Sequence, residues 1–156
     1  MYDRDEVDSF FDTLRSVSDE AKEKQQKLEK NRKAITDENG NILPKYQKSF
    51  ARLESEVDRL NKRLSSGEEI LLRVVSGYVK ENAMGNLYFE HNNDGTQYFE
   101  DVYSELFSQN WDPISKAIDA FDLEKIDSIV GKMREAFLAK TYKKYTEYAK
   151  TLSINL

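Results

Sequence analysis

Glu90 to Asp101 carries oxygen-bearing side chains at nearly the intervals a calcium loop uses. Such a loop wants oxygen ligands at its first, third, fifth and twelfth positions and a glycine at its sixth. Glu90, Asn92, Asp94 and Asp101 occupy those ligand positions, and Gly95 occupies the sixth. The match is degenerate. Glu90 replaces the usual aspartate, Gln97 stands where an aliphatic belongs, and Asp101 is short for bidentate reach. Gly85 also interrupts the entering helix. A polar loop without a metal is therefore the preferred reading, with a divalent-cation-responsive loop as its rival. Asp37-Glu38-Asn39-Gly40-Asn41 fits worse, because Ile42 and Lys48 fall on the glycine and glutamate positions.

Other chemistry finds little material. Cysteine is absent, so disulfides, thiolate zinc sites and cysteine nucleophiles are excluded. His91 is the single histidine and has no second soft ligand. With 29 acidic residues, adjacent carboxylates carry no information. A glycine-rich phosphate loop is missing. The chain reads as a non-enzyme with no cofactor. Tyr142, Tyr145 and Tyr148 have the chemistry to stack bases or anchor an interface. Helical spacing nonetheless puts Tyr142 and Tyr145 on an apolar stripe, which predicts core packing. Trp111 is expected to plug the core.

Charge is distributed unevenly. Lys24, Lys27, Lys30, Arg32, Lys33, Lys45, Lys48 and Arg52 oppose only Glu29, Asp37 and Glu38, a local balance of +5. Residues 86–122 carry eight acids and one lysine. Two ends of opposite sign suit docking of an acidic partner on the basic end, or head-to-tail assembly of copies. The plainer alternative is a solvated helix face laced with i,i+4 pairs. Nucleic-acid binding through the basic end is disfavoured by the net charge of −5.

The elements that position these residues are helices. Tyr46, Leu53, Leu60, Gly67 and Val74 form one row at intervals of seven. Phe50, Val57, Leu64, Leu71 and Tyr78 form the second. Five heptads in phase specify a long helix with a narrow apolar seam. The register stays in phase through Ser65-Ser66-Gly67, which favours one continuous helix from Pro44 to about Glu81. Upstream, Val7, Leu14, Ala21, Leu28 and Ile35 repeat in the same way. Asp3 is placed to cap this first helix, with Glu6 completing a capping box and Tyr2 and Val7 forming a staple. Asn39-Gly40 supplies the turn, and Pro44 opens the next helix. Folding about that turn sets Ile35 beside Tyr46, Leu28 beside Leu53, Ala21 beside Leu60, Leu14 beside Gly67 and Val7 beside Val74.

Residues 87–156 hold 12 of the 18 aromatic residues. A loop followed by a helix from about Thr96 to Ser108 is preferred over a β-hairpin across 87–100. Trp111-Asp112-Pro113 predicts a new short helix, with Asp112 as cap and Pro113 at its first position. Asp122 predicts the cap of the last helix. That helix reads Leu123, Ile126, Val130, Met133, Phe137, and then slips by one residue to Leu138, Tyr142, Tyr145, Ala149 and Leu152.

These readings predict an all-α fold in one domain, 1–156. A long antiparallel, coiled-coil-like helical hairpin spans 1–82, and an aromatic-rich helical cap over 83–156 packs on its open end, where Phe10, Phe11, Ile70 and Val75 widen the apolar stripe. The functional expectation is a protein–protein interaction module: an adaptor, inhibitor, chaperone-like partner or assembly subunit. Tyr46 and Phe50 want cover, which points to a homodimer. No apolar run reaches the ~20 residues of a membrane span. The acidic N-terminus is the reverse of a secretory signal, so a cytoplasmic location is expected.

Overall fold

The computed structural model describes residues 2–85 and 94–154, with side chains throughout except at 94–96, 145, 148, 149 and 151–154. The described residues form four α-helices: α1 (Arg4–Ile35), α2 (Gln47–Met84), α3 (Asp94–Asp119) and α4 (Leu123–Ile154). A 3-10 turn, Pro44–Tyr46, precedes α2. No strand occurs among them, and a single isolated bridge joins Thr36 to Ile42. The protein is all-α, as the heptad patterns predict. Packing divides it into two units: Ser9–Leu71, and Met1–Asp8 together with Leu72–Leu156.

The first of these units is the hairpin. α1 ends at Ile35, and the chain reverses through a turn organised by Asp37. The Asp37 carboxylate accepts the N–H groups of Asn39 at 2.9 Å and Asn41 at 3.0 Å. Gly40 takes φ +81°, a backbone state that costs a Cβ-bearing residue about 1–2 kcal/mol. Leu28, Phe50 and Val57 then form one buried cluster, with Ile35, Ile42 and Leu53 packed on it. Val17, Ala21 and Leu60 form the next, with Leu64 beside them. Further along, the Leu14 side chain fills the space above Gly67, where any added Cβ would collide with it. The expected levels Leu28/Leu53, Ala21/Leu60 and Leu14/Gly67 are thus met. At the turn the seam shifts: Ile42 joins Ile35 against the Leu28, Phe50 and Val57 cluster, and Tyr46 stays exposed. Phe50, expected to need outside cover, is buried. Ile70, expected on the widened apolar stripe, is exposed. α2 runs unbroken through Ser65-Ser66-Gly67, and its 38 residues make it roughly 57 Å long at 1.5 Å per residue.

The second unit gathers the N-terminal residues, the end of α2, α3 and α4. Asp3 caps α1 as expected: its Oδ1 accepts the Asp5 N–H at 2.9 Å. Tyr2 lays its ring over Gly77, and its own N–H donates to Glu81 Oε2 at 2.7 Å. α3 differs from the sequence-based expectation. It begins at Asp94 and continues through Pro113 to Asp119, so no new helix starts at Asp112. Phe99, Tyr103, Leu106, Ile114, Ala117 and Ile118 form one buried stripe along its length. That shared burial holds the helix together across the proline, whose missing N–H and ring clash cost about 3 kcal/mol in a helix interior.

α3 ends in a Schellman arrangement. The Asp122 N–H donates to Ala117 O at 2.9 Å, and the Phe121 N–H donates to Ile118 O at 3.0 Å. Phe121 occupies the left-handed position with φ +53°. Asp122 then caps α4, accepting the Lys125 N–H at 3.0 Å. In α4 the expected slip does not happen. Leu123, Ile126, Val130, Met133 and Phe137 are buried, and the same stripe continues to Thr141 at 0% exposure. Leu138 is 38% exposed and Tyr142 71% exposed.

Candidate functional site

All eight cations of the predicted basic patch lie in the hairpin unit. Arg32 and Lys33 occupy the last turn of α1, where the helix dipole favours positive charge. The Arg32 guanidinium carbon lies 5.4 Å from the Phe50 ring centroid, and its terminal nitrogen reaches Glu54 Oε2 at 3.7 Å. Lys45 Nζ sits 5.7 Å from the Tyr46 ring centroid. Lys24 bridges the hairpin to Glu56 and also contacts Glu20 at 3.4 Å. The hydrogen bond from Lys24 holds the Glu56 carboxyl below its ordinary value, with their charge attraction adding to it. The same bond raises Lys24 above the usual lysine range.

Two of the cations are therefore neutralised by acids on α2. Lys27, Lys30, Lys33, Lys48 and Arg52 are exposed and form no ion pair within 4 Å among the described residues. Arg32 stands between two hollows. One, of ≈ 430 Å³, is lined by Arg32, Gly40, Ile42, Gln47, Phe50, Ala51 and Glu54. The other, of ≈ 270 Å³, is lined by Gln25, Leu28, Glu29, Arg32 and Lys33. Of the unpaired cations Lys33 lines the second hollow, so this end of the hairpin unit sets free positive charge beside a partly apolar depression. That arrangement suits recognition of an acidic side chain beside an apolar one, and it contains no nucleophile–base pair.

The calcium-type loop is not assembled as a loop throughout. Glu90, His91 and Asn92 lie outside the described residues. Asp94 opens α3, and Asp101 sits on its exposed face, accepting a hydrogen bond from Gln97 Nε2 at 2.9 Å. Among the described residues no group of three or more acidic or histidine side chains is placed to hold a metal ion.

Sequence reasoning missed a polar node in the second unit. The Tyr78 hydroxyl donates to Asp127 Oδ1 at 2.5 Å, and Arg4 Nε donates to Asp127 Oδ2 at 2.9 Å. Burial, and then the hydrogen bond to Asp127, push the Tyr78 hydroxyl up to about 12. Hydrogen bonding to Asp127 likewise raises Arg4. The one available signal was Tyr78 itself, a hydroxyl at an apolar heptad position. The aromatic expectations are also corrected. Trp111 is 38% exposed, its ring 5.6 Å from that of Phe107, and does not plug the core. Tyr142 lies outside the core for the reason given by the α4 stripe, while the Tyr145 side chain lies outside the described set.

The fold and the turn define an all-α protein with a basic hairpin end. Comparison with protein-family models, curated proteins and solved structures finds no match. Among the described residues no helix is long and apolar enough to cross a membrane.

Proposed function

We propose that this chain is a non-enzymatic protein–protein interaction module whose hairpin turn docks an acidic partner. The observation that carries this reading is the set of exposed, unpaired cations Lys27, Lys30, Lys33 and Lys48 in the same hairpin unit as the hollow lined by Arg32, Ile42 and Phe50. Free charge steers encounter, and an apolar floor beside it supplies area that water gives up on docking. The module serves as an adaptor, inhibitor, chaperone-like partner or assembly subunit. It works in the cytoplasm, and the exposed Tyr46 ring supports self-association. The net charge of −5 weighs against nucleic acid as the ligand.

The test is affinity capture with the intact chain beside a variant carrying Lys27→Glu, Lys30→Glu, Arg32→Glu and Lys48→Glu. A partner captured by the intact chain and lost by the variant supports the reading. Capture that the four reversals leave unchanged removes the turn from any docking role.

A further inference from the structure

The outward face of α2 carries a second basic feature that extends beyond the turn. Lys48, Arg52, Arg59 and Arg63 are exposed and follow one another at intervals of four, seven and four residues. On a helix of 3.6 residues per turn these intervals return to nearly the same direction, so the four cations form a stripe. The core residues Phe50 and Val57 face the other way. Of the acids nearest the seam, Glu54 pairs with Arg32, and Glu56 is hydrogen-bonded to Lys24 while its charge is also felt by Arg59. None of the four stripe cations forms an ion pair within 4 Å among the described residues.

α3 carries the complementary pattern. Asp101, Glu105, Asp112 and Asp119 are exposed, at intervals of four, seven and seven residues, opposite the buried stripe. Asp101 and Glu105 accept hydrogen bonds from neutral Gln97 and Gln109, so their charge is not cancelled. Asp112 has only the exposed i,i+4 contact with Lys116 at 3.0 Å. Trp111 is exposed beside this acidic stripe, an amphipathic ring of the kind on which an arginine plane stacks.

We propose that the basic stripe of α2 receives the acidic stripe of α3 from a second copy of this chain. Three levels share the same spacing, four and then seven residues, which is about 6 Å and 10.5 Å of helix rise. The contact joins two different surfaces, so a pair of copies keeps one free stripe of each sign and association continues head to tail unless the rotation closes a ring. The charges are exposed, so the attraction is weak for each pair, additive along the stripe and screened by salt. The proposal rests on the reading of the chain as an interaction module and names its partner. It uses Arg59 and Arg63, which lie outside the turn.

The experiment is sedimentation equilibrium of the full chain over a range of concentrations at low and high salt. It includes the variants Arg59→Glu/Arg63→Glu and Asp101→Lys/Glu105→Lys/Asp112→Lys, with helicity checked by circular dichroism. The expected result is concentration-dependent self-association of the intact chain at low salt, weakened at least about tenfold by half-molar salt. Each variant alone is monomeric, and an equimolar mixture of the two associates again, because the reversed α2 stripe of one variant matches the reversed α3 stripe of the other and their two unreversed stripes match each other. A monomeric intact chain at low salt overturns the proposal, as does self-association that neither reversal weakens, or a mixture that fails to recover. Loss of duplex-DNA binding in the first variant, with no self-association in the intact chain, assigns the stripe to nucleic acid and also overturns it. Any of these failures leaves capture through Lys27, Lys30, Arg32 and Lys48 standing, since none of the reversed residues belongs to that set.

Discussion

The Tyr78 hydroxyl lies 2.5 Å from Asp127 Oδ1, joining the end of α2 to the first turns of α4. Arg4 grips the other carboxylate oxygen, its terminal nitrogen 2.8 Å from Oδ2. Burial, and then the hydrogen bond to this carboxylate, keep Tyr78 protonated and raise its value to about 12 from an ordinary 10.0. The folded state therefore binds this proton more tightly than the unfolded state. The associated stability is complete below pH 10 and is lost as pH rises toward 12. Absorbance titration should show one tyrosine ionising near 12, and Tyr78→Phe should remove that step. Asp127 retains Arg4 in that variant, so the loss should be about 1–2 kcal/mol, read as a lower denaturant midpoint at neutral pH.

The Lys24–Glu56 pair should behave differently, because both groups are solvent-accessible. Glu56 is depressed, so its contribution is present above the ordinary carboxylate value and fades as pH falls through its folded value. Lys24 is raised, so its contribution is present below the ordinary lysine value and fades at high pH. Lys24→Glu should lower the melting temperature slightly, and Lys24→Glu/Glu56→Lys should restore it. Half-molar salt should shrink both effects. A swap that fails to recover stability at low salt would show that the pair contributes nothing.

Much of the fold was legible because it repeats. The two heptad rows of α2 fixed its length and the face it turns to α1, and Leu14, Ala21 and Leu28 found their opposite numbers Gly67, Leu60 and Leu53. Asp3 and Asp122 were readable as caps because a cap is a local device. Local devices also misled. Asp112-Pro113 has the form of a helix start, yet Leu106 and Ile114 are buried on one continuous stripe, and that packing outweighs the lost hydrogen bond. The basic turn was legible as charge, but which cations are spent on Glu54 and Glu56 depends on the pairing of two helices. Asp127 could not be singled out among 29 acids until its neighbours were known.

α4 supplies a sharper test of how its burial arises. Thr141 looks polar, yet its hydroxyl donates to the Phe137 carbonyl at 2.6 Å and so hides its polarity within the helix. Leu138 and Tyr142 look apolar and lie in solvent. Leu138→Ser and Tyr142→Ser should each change stability by no more than about 0.5 kcal/mol. Thr141→Val should be tolerated, because the lost hydroxyl leaves no buried partner that another group must satisfy. Thr141→Asp should cost several kcal/mol, roughly 3 or more, by burying an unpaired charge. Chemical denaturation of the four variants would decide the matter, and equal losses at 138 and 141 would contradict the register described for α4.

Gly77 offers a sign reversal. Glycine inside a helix costs about 1 kcal/mol relative to alanine, so Gly77→Ala taken alone ought to stabilise α2. The Tyr2 ring occupies the space the methyl would need, and the collision involves both the ring and its hydroxyl. Displacing Tyr2 also strains the bond from its N–H to Glu81 Oε2. Gly77→Ala in the intact chain should therefore lower stability. In a Tyr2→Ala background the obstacle is gone, and the same substitution should raise stability by about 0.5–1 kcal/mol. The double-mutant cycle isolates the contact from helix propensity, because propensity acts equally in both backgrounds. Matching effects of Gly77→Ala in the two backgrounds would mean that Tyr2 does not rest on Gly77 in solution, and with it would go the tie between the N-terminal residues and the end of α2.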